Sequence, residues 1–244
     1  MTRHSSLARI DDGLGGGAVP SSRTRAIDTY RRIRQDILEC RLRPGARLRS
    51  EELCEQYEVG ISPLREALVR LSADGLAVLE EHRGYHVAPV SRADLLDLTR
   101  MRIELERMAL TASIQNGDDD WETRVVAAHH RLSKTEAFVE GNRILGQGWE
   151  ERHATFHRAL LEACGSPWLL SFRDSLYDHG GRYRRLSLLK GPSLSRPADT
   201  EHQDLLEATL GRDAERACAL LTQHIQRTTD MLLAQDDPTL FGEN

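Results

Sequence analysis

The sequence predicts a mainly α protein in two parts: a winged helix-turn-helix over residues 25–90, then an antiparallel, all-helical bundle of six helices over residues 91–235. Three observations carry that reading. Residues 59–88, VGISPLREALVRLSADGLAVLEEHRGYHVA, set a short helical period beside a hairpin with a basic tip. From Ser91 onward every segment has helical period and none alternates like a strand. Gly, Pro and Asn punctuate those segments at the short intervals a bundle's loops require.

Residues 1–24 contain a Gly-Gly-Gly run, several Ser and few large apolar side chains. They cannot bury enough surface to offset the entropy of ordering, so they read as a disordered tail; residues 236–244 form a C-terminal tail. Over residues 25–40, Ile27, Tyr30, Ile33, Ile37 and Leu38 share one helical face, with Arg31, Arg32 and Arg34 across from it. Pro44-Gly45 turns the chain, and Ser50 reads as the cap of a short helix with Leu53, Cys54 and Tyr57 inward. After the Val59-Gly60 turn, Ser62-Pro63 forms a start signal, since serine caps orphan N–H groups and proline needs no donor in the first turn. Leu64, Leu68 and Leu71 then form an apolar stripe filled in by Ala67, which leaves Arg65 and Arg70 outward. Gly75 ends that helix, and Leu76, Val78 and Tyr85-His86-Val87 flank a turn carrying His82, Arg83 and Gly84. A helix of this length fits the DNA major groove, and an Arg-Gly tip can approach a phosphate or the minor groove.

In the bundle, Ser91 followed by Asp94 is a variant capping box. It opens a helix over 92–115 that buries Leu95, Leu98, Ile103, Leu105 and Leu110 and stops at Asn116-Gly117. Helices over 119–140, 142–164, 167–189, 196–210 and 213–234 follow. Gly165, Ser166-Pro167, Gly191-Pro192 and Gly211 mark their ends, and Asp213 caps the last.

Bulk properties exclude several classes. No apolar run reaches the ~18 residues a membrane span needs, and no apolar h-region follows the N-terminus. Cys40, Cys54, Cys164 and Cys218 lie far apart with no CxxC pair, the pattern of reduced thiols in a cytoplasm. The net charge of −5 argues weakly against nucleic acid, but it is unevenly spread. Residues 21–90 hold 12 Lys and Arg against 11 Asp and Glu, while residues 91–244 hold 19 against 25. Arg41, Arg43, Arg47 and Arg49 crowd one Pro-Gly turn, and phosphates respond to local charge within a Debye length of about 10 Å.

Four of the ten histidines form a pattern. His153 and His157 are four apart, so they face the same way on one helix. His202 precedes the Gly211 turn and His224 follows it, at heights of ~13 and ~20 Å at 1.5 Å per residue, about one helical turn apart. Two such pairs on facing helices can converge on one ion, and imidazole suits zinc, nickel, copper or iron. Any one of these histidines alone reads better as a solvated or hydrogen-bonded side chain. His129 and His130 are adjacent and point to different faces.

At this point a resemblance joins the residues. RPGARLRSEELCEQYEVGISPLREALVRLSADGLAVLEEHRGYHV resembles the DNA-binding domain of GntR-family transcriptional regulators, with PLREAL and DGL as its specific core. The resemblance implies that Arg65, with Ser62 beside it, meets operator DNA and that Arg83-Gly84 forms the wing tip. Where family members often carry Arg, this chain has Ile61 and Glu51. That implies an operator other than the family's commonest, with Arg47 and Arg49 supplying phosphate contacts. WEERHATFHRALLEACGSPWLL and EHQDLLEATLGRDAERACALLTQHI resemble the FCD ligand-binding domain of the FadR-like branch. In its metal-binding members an Asp-x3-His pair and one His on each of the last two helices hold the ion. His157, His202 and His224 match, and His153 stands where the family has Asp. An all-histidine set favours borderline divalent transition metals, zinc first and nickel second, over calcium or magnesium. Arg102, in RMRIELERMAL, matches the family's effector arginine and implies a small organic acid held by guanidinium and ion together. On spacing alone Arg102 reads as a surface partner of Glu106.

The expected protein is a cytoplasmic, nucleoid-associated homodimeric repressor with operator DNA and an organic acid as partners. The rival is a metalloenzyme, with Glu104, Glu106 or Glu150 as base, but none of these sits in a catalytic motif. No catalytic residue is assigned.

Overall fold

Two large apolar cores organise the described residues, each gathering the side chains that helical period puts on one face, with a smaller cluster of Val90, Leu95, Tyr183 and Leu232 beside them. The computed structural model describes residues 22–135, 147–188 and 198–234 together with Phe241. The first core belongs to α1 (Ser22–Leu38), α2 (Ser50–Gln56), α3 (Ile61–Ala73) and an antiparallel hairpin of β1 (Ala77–Glu80) and β2 (Gly84–Val87). Ile33, Ile37, Leu53, Leu64, Leu68 and Leu71 fill it, closed by Leu76 and Val87 from the hairpin. The hairpin registers Ala77 against Val87 and Glu80 against Gly84. Residues around Arg47 add a third strand-like edge: Leu48 N–H donates to Tyr85 O at 2.8 Å and Val87 N–H to Ala46 O at 2.9 Å.

Two cap assignments change. α3 begins at Ile61, not after Ser62. Gly60 is its N-cap, with extended backbone and no capping side chain, and Leu64 N–H already reaches Gly60 O at 3.2 Å. The helix thus starts earlier than the Ser-Pro pair implies, which leaves Ser62 exposed in the first turn. Likewise Arg49, not Ser50, is the N-cap of α2. The stop at Gly75 holds: its φ of +71° is the left-handed conformation that ends α3 after Asp74.

The second core joins six helices among the described residues: α4 (Arg92–Asn116), α5 (Asp119–Ser133), α6 (Gln147–Leu161), α7 (Pro167–Leu188), α8 (Ala198–Leu210) and α9 (Ala214–Leu233). A single 3-10 turn, Glu162–Cys164, extends α6 to Gly165. The expected helix ends at 140, 142, 189 and 196 lie outside the described residues. Three side-chain caps fix helix starts: Ser91 Oγ accepts from Asp94 N–H, Asp118 from Trp121 N–H and Asp213 from Arg216 N–H. Trp121, Phe156, Leu110, Leu160 and Leu221 lie in the centre, with the Trp121 indole donating to Ala159 O at 2.8 Å. α4 is the axis, packed along α7, α9 and α6.

α7 also touches the head. Arg34 pairs with Asp178, His179 Nε2 lies 3.0 Å from Asp74 O, and the buried Arg182 donates to Ala88 O. The Cys40 thiol donates to Arg182 O at 3.6 Å.

Candidate metal centre and DNA-reading surface

α6 carries His153 and His157 one turn apart, α8 carries His202 and α9 carries His224. All four rings are buried, and each offers a nitrogen within 4.8 Å of the others. Ring centroids lie 4.4 Å apart for His153–His157, 4.9 Å for His157–His224 and 4.9 Å for His202–His224. The pairing expected from the Gly211 turn is therefore met in space. Trp149 stacks on His153 at 4.6 Å, and Phe156 meets His157 and His202 edge-on.

The rings are oriented from outside. His153 Nδ1 lies 2.9 Å from the Tyr177 hydroxyl, and His224 Nδ1 lies 2.8 Å from Glu201 Oε2, which Arg227 also holds through the other oxygen. In the tautomer whose Nδ1 hydrogen points outward to these partners, Nε2 keeps its lone pair for the interior. His157 has neither nitrogen hydrogen-bonded, although both are buried. A buried, unpartnered imidazole is costly, and a bound metal is the partner that four converging lone pairs suit. Burial, then the neighbouring imidazoles and arginines, pushes the pKa of His153 and His157 well below its ordinary value. Both rings are thus neutral, the form in which imidazole coordinates. The donor set fits a borderline divalent metal.

Arg102 is paired with Glu106, as spacing suggests, but inside the bundle rather than on the surface. Its Nε donates to Glu106 Oε1 at 2.9 Å, with the arginine 7% exposed and the carboxylate fully buried. Burial alone would raise the Glu106 pKa, but the Arg102 and Arg173 guanidiniums outweigh it and hold the carboxyl below its usual range. Arg102, Arg173 and Arg184 all lie over the Tyr177 ring, with guanidinium carbons 5.0, 4.4 and 4.9 Å from its centroid. Burial dominates over these cations and keeps the phenol protonated. Arg173, Tyr177 and Glu201 are absent from the sequence reading. Only the four-residue spacing of Arg173 and Tyr177 hints at them, and α7 must pack on α4 before that spacing acquires meaning.

On the head, Arg65 projects from α3 and pairs with no carboxylate among the described residues. Arg49 is held by Glu52 at 2.7 Å and Arg83 by Glu80 at 2.8 Å, so part of the expected cationic surface is neutralised in the free protein. Arg47 is exposed beside β2, its backbone bridged to His86. Gly84 sits at the hairpin tip with φ +80° and open space around it. Ile61 and Glu51 are both exposed at the starts of their helices.

Comparison with known proteins agrees with both halves. Residues 26–87 match the bacterial regulatory proteins of the gntR family, and residues 97–227 match the FCD domain. The chain is 40% identical over 220 residues to the HTH-type transcriptional regulator BphR of Paraburkholderia xenovorans (strain LB400), covering 88% of each chain. It is 38% identical over 204 residues to the HTH-type transcriptional repressor GlaR of Escherichia coli (strain K12), covering 82% of this chain and 92% of that one. Among solved structures, E. coli McbR/YncC superposes with a TM-score of 0.71 at 22% identity, over 87% of this chain and 99% of that one, a likeness of fold. These relatives are regulators, not enzymes. A winged helix joined to a helical bundle around four histidines thus belongs to the GntR family of DNA-binding transcriptional regulators, in its FCD-containing branch.

Proposed function

We propose that this regulator is a homodimeric repressor whose hold on its operator is set by a small organic acid bound beside a divalent transition metal. Zinc is the first choice and nickel the second. The observation that carries the reading is the set of four buried histidines, one with no partner for either ring nitrogen, behind a winged helix. His153, His157, His202 and His224 hold the metal, which when bound supplies an electropositive centre toward a carboxylate. Arg102 anchors the acid by charge-assisted hydrogen bonds. The repressor sense is supported by the 38% identical relative named as a repressor.

On DNA, Arg65 and Ser62 of α3 face the major groove. Arg47 and Arg49 meet phosphates, and Arg83 and Gly84 form the wing contact. A single helix of 13 residues gives too few base contacts for a tight specific site, which favours two heads on a two-fold operator. Dimer, metal and DNA-binding head together suit a cytoplasmic protein that acts on the nucleoid.

Fluorescence anisotropy on DNA upstream of the regulator's own operon tests the output, and elemental analysis of the same preparation tests the input. Arg65→Ala should weaken binding by about 1–3 kcal/mol and relax specificity. The double substitution His157→Ala/His202→Ala should strip the metal. Unchanged, salt-insensitive DNA binding in the first variant, or full metal content in the second, would overturn the corresponding half of the reading.

A further inference from the structure

We infer that the effector carries two negative charges and that Arg173, with Arg102, reads the second one; this rests on the reading of an organic-acid effector beside the histidines. The argument is a balance of buried charge. Arg102 and Arg173, at 7% and 2% exposure, share one carboxylate oxygen: their Nε atoms lie 2.9 and 3.3 Å from Glu106 Oε1. Arg173 Nη1 lies 3.2 Å from Asp174, but that carboxylate is more than a third exposed and also paired with Arg158. Arg173 Nη2 is buried with no hydrogen-bond partner. Glu150 is engaged by Arg185 at 2.5 Å. Two buried guanidiniums therefore face one buried carboxylate.

Cations buried beyond their counter-charge are costly in a low-dielectric interior, so such an excess marks a place where an anion binds. The placement supports an anion with two acidic ends. Tyr177 spans the distance: its hydroxyl lies 2.9 Å from His153 Nδ1, and its ring face carries Arg173 and Arg102. One acidic group directed to the histidines leaves these arginines to be met by another. A monoanion satisfies one end and leaves Arg173 Nη2 unpartnered. A dianion satisfies both, and a planar guanidinium with a free edge suits a carboxylate.

The test is titration calorimetry on the full-length, zinc-loaded protein with the dicarboxylates from malonate to adipate, each set against its mono-amide of equal length. The mono-amide keeps size and polarity and removes one charge. At the best-fitting length the diacid should bind on the order of tenfold tighter or more, the loss expected for a charge-assisted hydrogen bond. Arg173→Met should shrink that ratio to about twofold while mono-amide binding persists, and Arg173→Lys should restore part of it. If Arg173→Met does not fold, Arg173→Gln takes its place: a reduced ratio there supports the inference and an undiminished one overturns it. Equal binding of diacid and mono-amide by the unaltered protein also overturns it and leaves the organic-acid reading standing. Absence of binding by every acid in both series overturns that broader reading.

Discussion

His157 is the residue on which the site turns, because both of its ring nitrogens are buried and neither has a hydrogen-bond partner. Its protonation fixes how the metal-free protein responds to acid. Folding depresses the pKa of His153 and His157, so below about pH 6.5 the unfolded chain takes up protons that the folded one refuses. Stability then falls as pH falls, by at most about 1.4 kcal/mol per pH unit for each histidine, down to the folded-state value. Guanidinium melts of chelator-treated protein between pH 7.5 and 5.5 should show this slope, and His157→Gln should reduce it by about half. An unchanged midpoint across that range would contradict it. The histidines were legible because spacing places them: four residues along α6, and within about one helical turn of each other in height from Gly211. Arg173 was not. Its meaning depends on α7 packing against α4, a long-range relation that no local period encodes.

The helices themselves were legible from period and punctuation, and their misreadings are local. Ser62 and Ser50 have the chemistry of caps, but Gly60, two residues before Ser62, and Arg49, directly before Ser50, already have the extended backbone a cap needs. Backbone conformation decided both starts. Gly165 is a cleaner case, since its φ of +75° ends the turn after α6 and nothing lies within 4 Å of where a Cβ would sit. A substitution there tests backbone conformation without a clash. Gly165→Ala should destabilise by about 1 kcal/mol, whereas Gly165→Asn should cost less, because asparagine tolerates the left-handed region. Urea unfolding of the two variants gives the comparison, and equal costs would show that the turn relaxes out of that conformation.

Across the whole molecule, the head and bundle have separate cores joined by a polar seam along α7. Its most buried member is Arg182, which donates to Ala88 O at the exit of the hairpin and accepts the Cys40 thiol on its own carbonyl. Beside it the Tyr183 hydroxyl donates to Asp94 and lies 3.2 Å from Ser91 N, tying the first residues of the bundle to the same helix. Replacing Arg182 by Met removes the seam's central donor and leaves both cores intact. Scanning calorimetry should then resolve two transitions where the unaltered protein shows one, and a single unchanged transition would mean that the domains couple through other contacts. The same helix presents Arg173, Tyr177 and Arg184 to the histidines, and Asp178, His179 and Arg182 to the head. A genetic screen would therefore be unable to separate recognition of the signal from its delivery within this segment. If the proposed acid effector binds beside the histidines, substitutions along α7 that alter which molecule is sensed also disturb how the DNA head is held, and a regulator of this build changes its effector more readily through α4, α8 or α9.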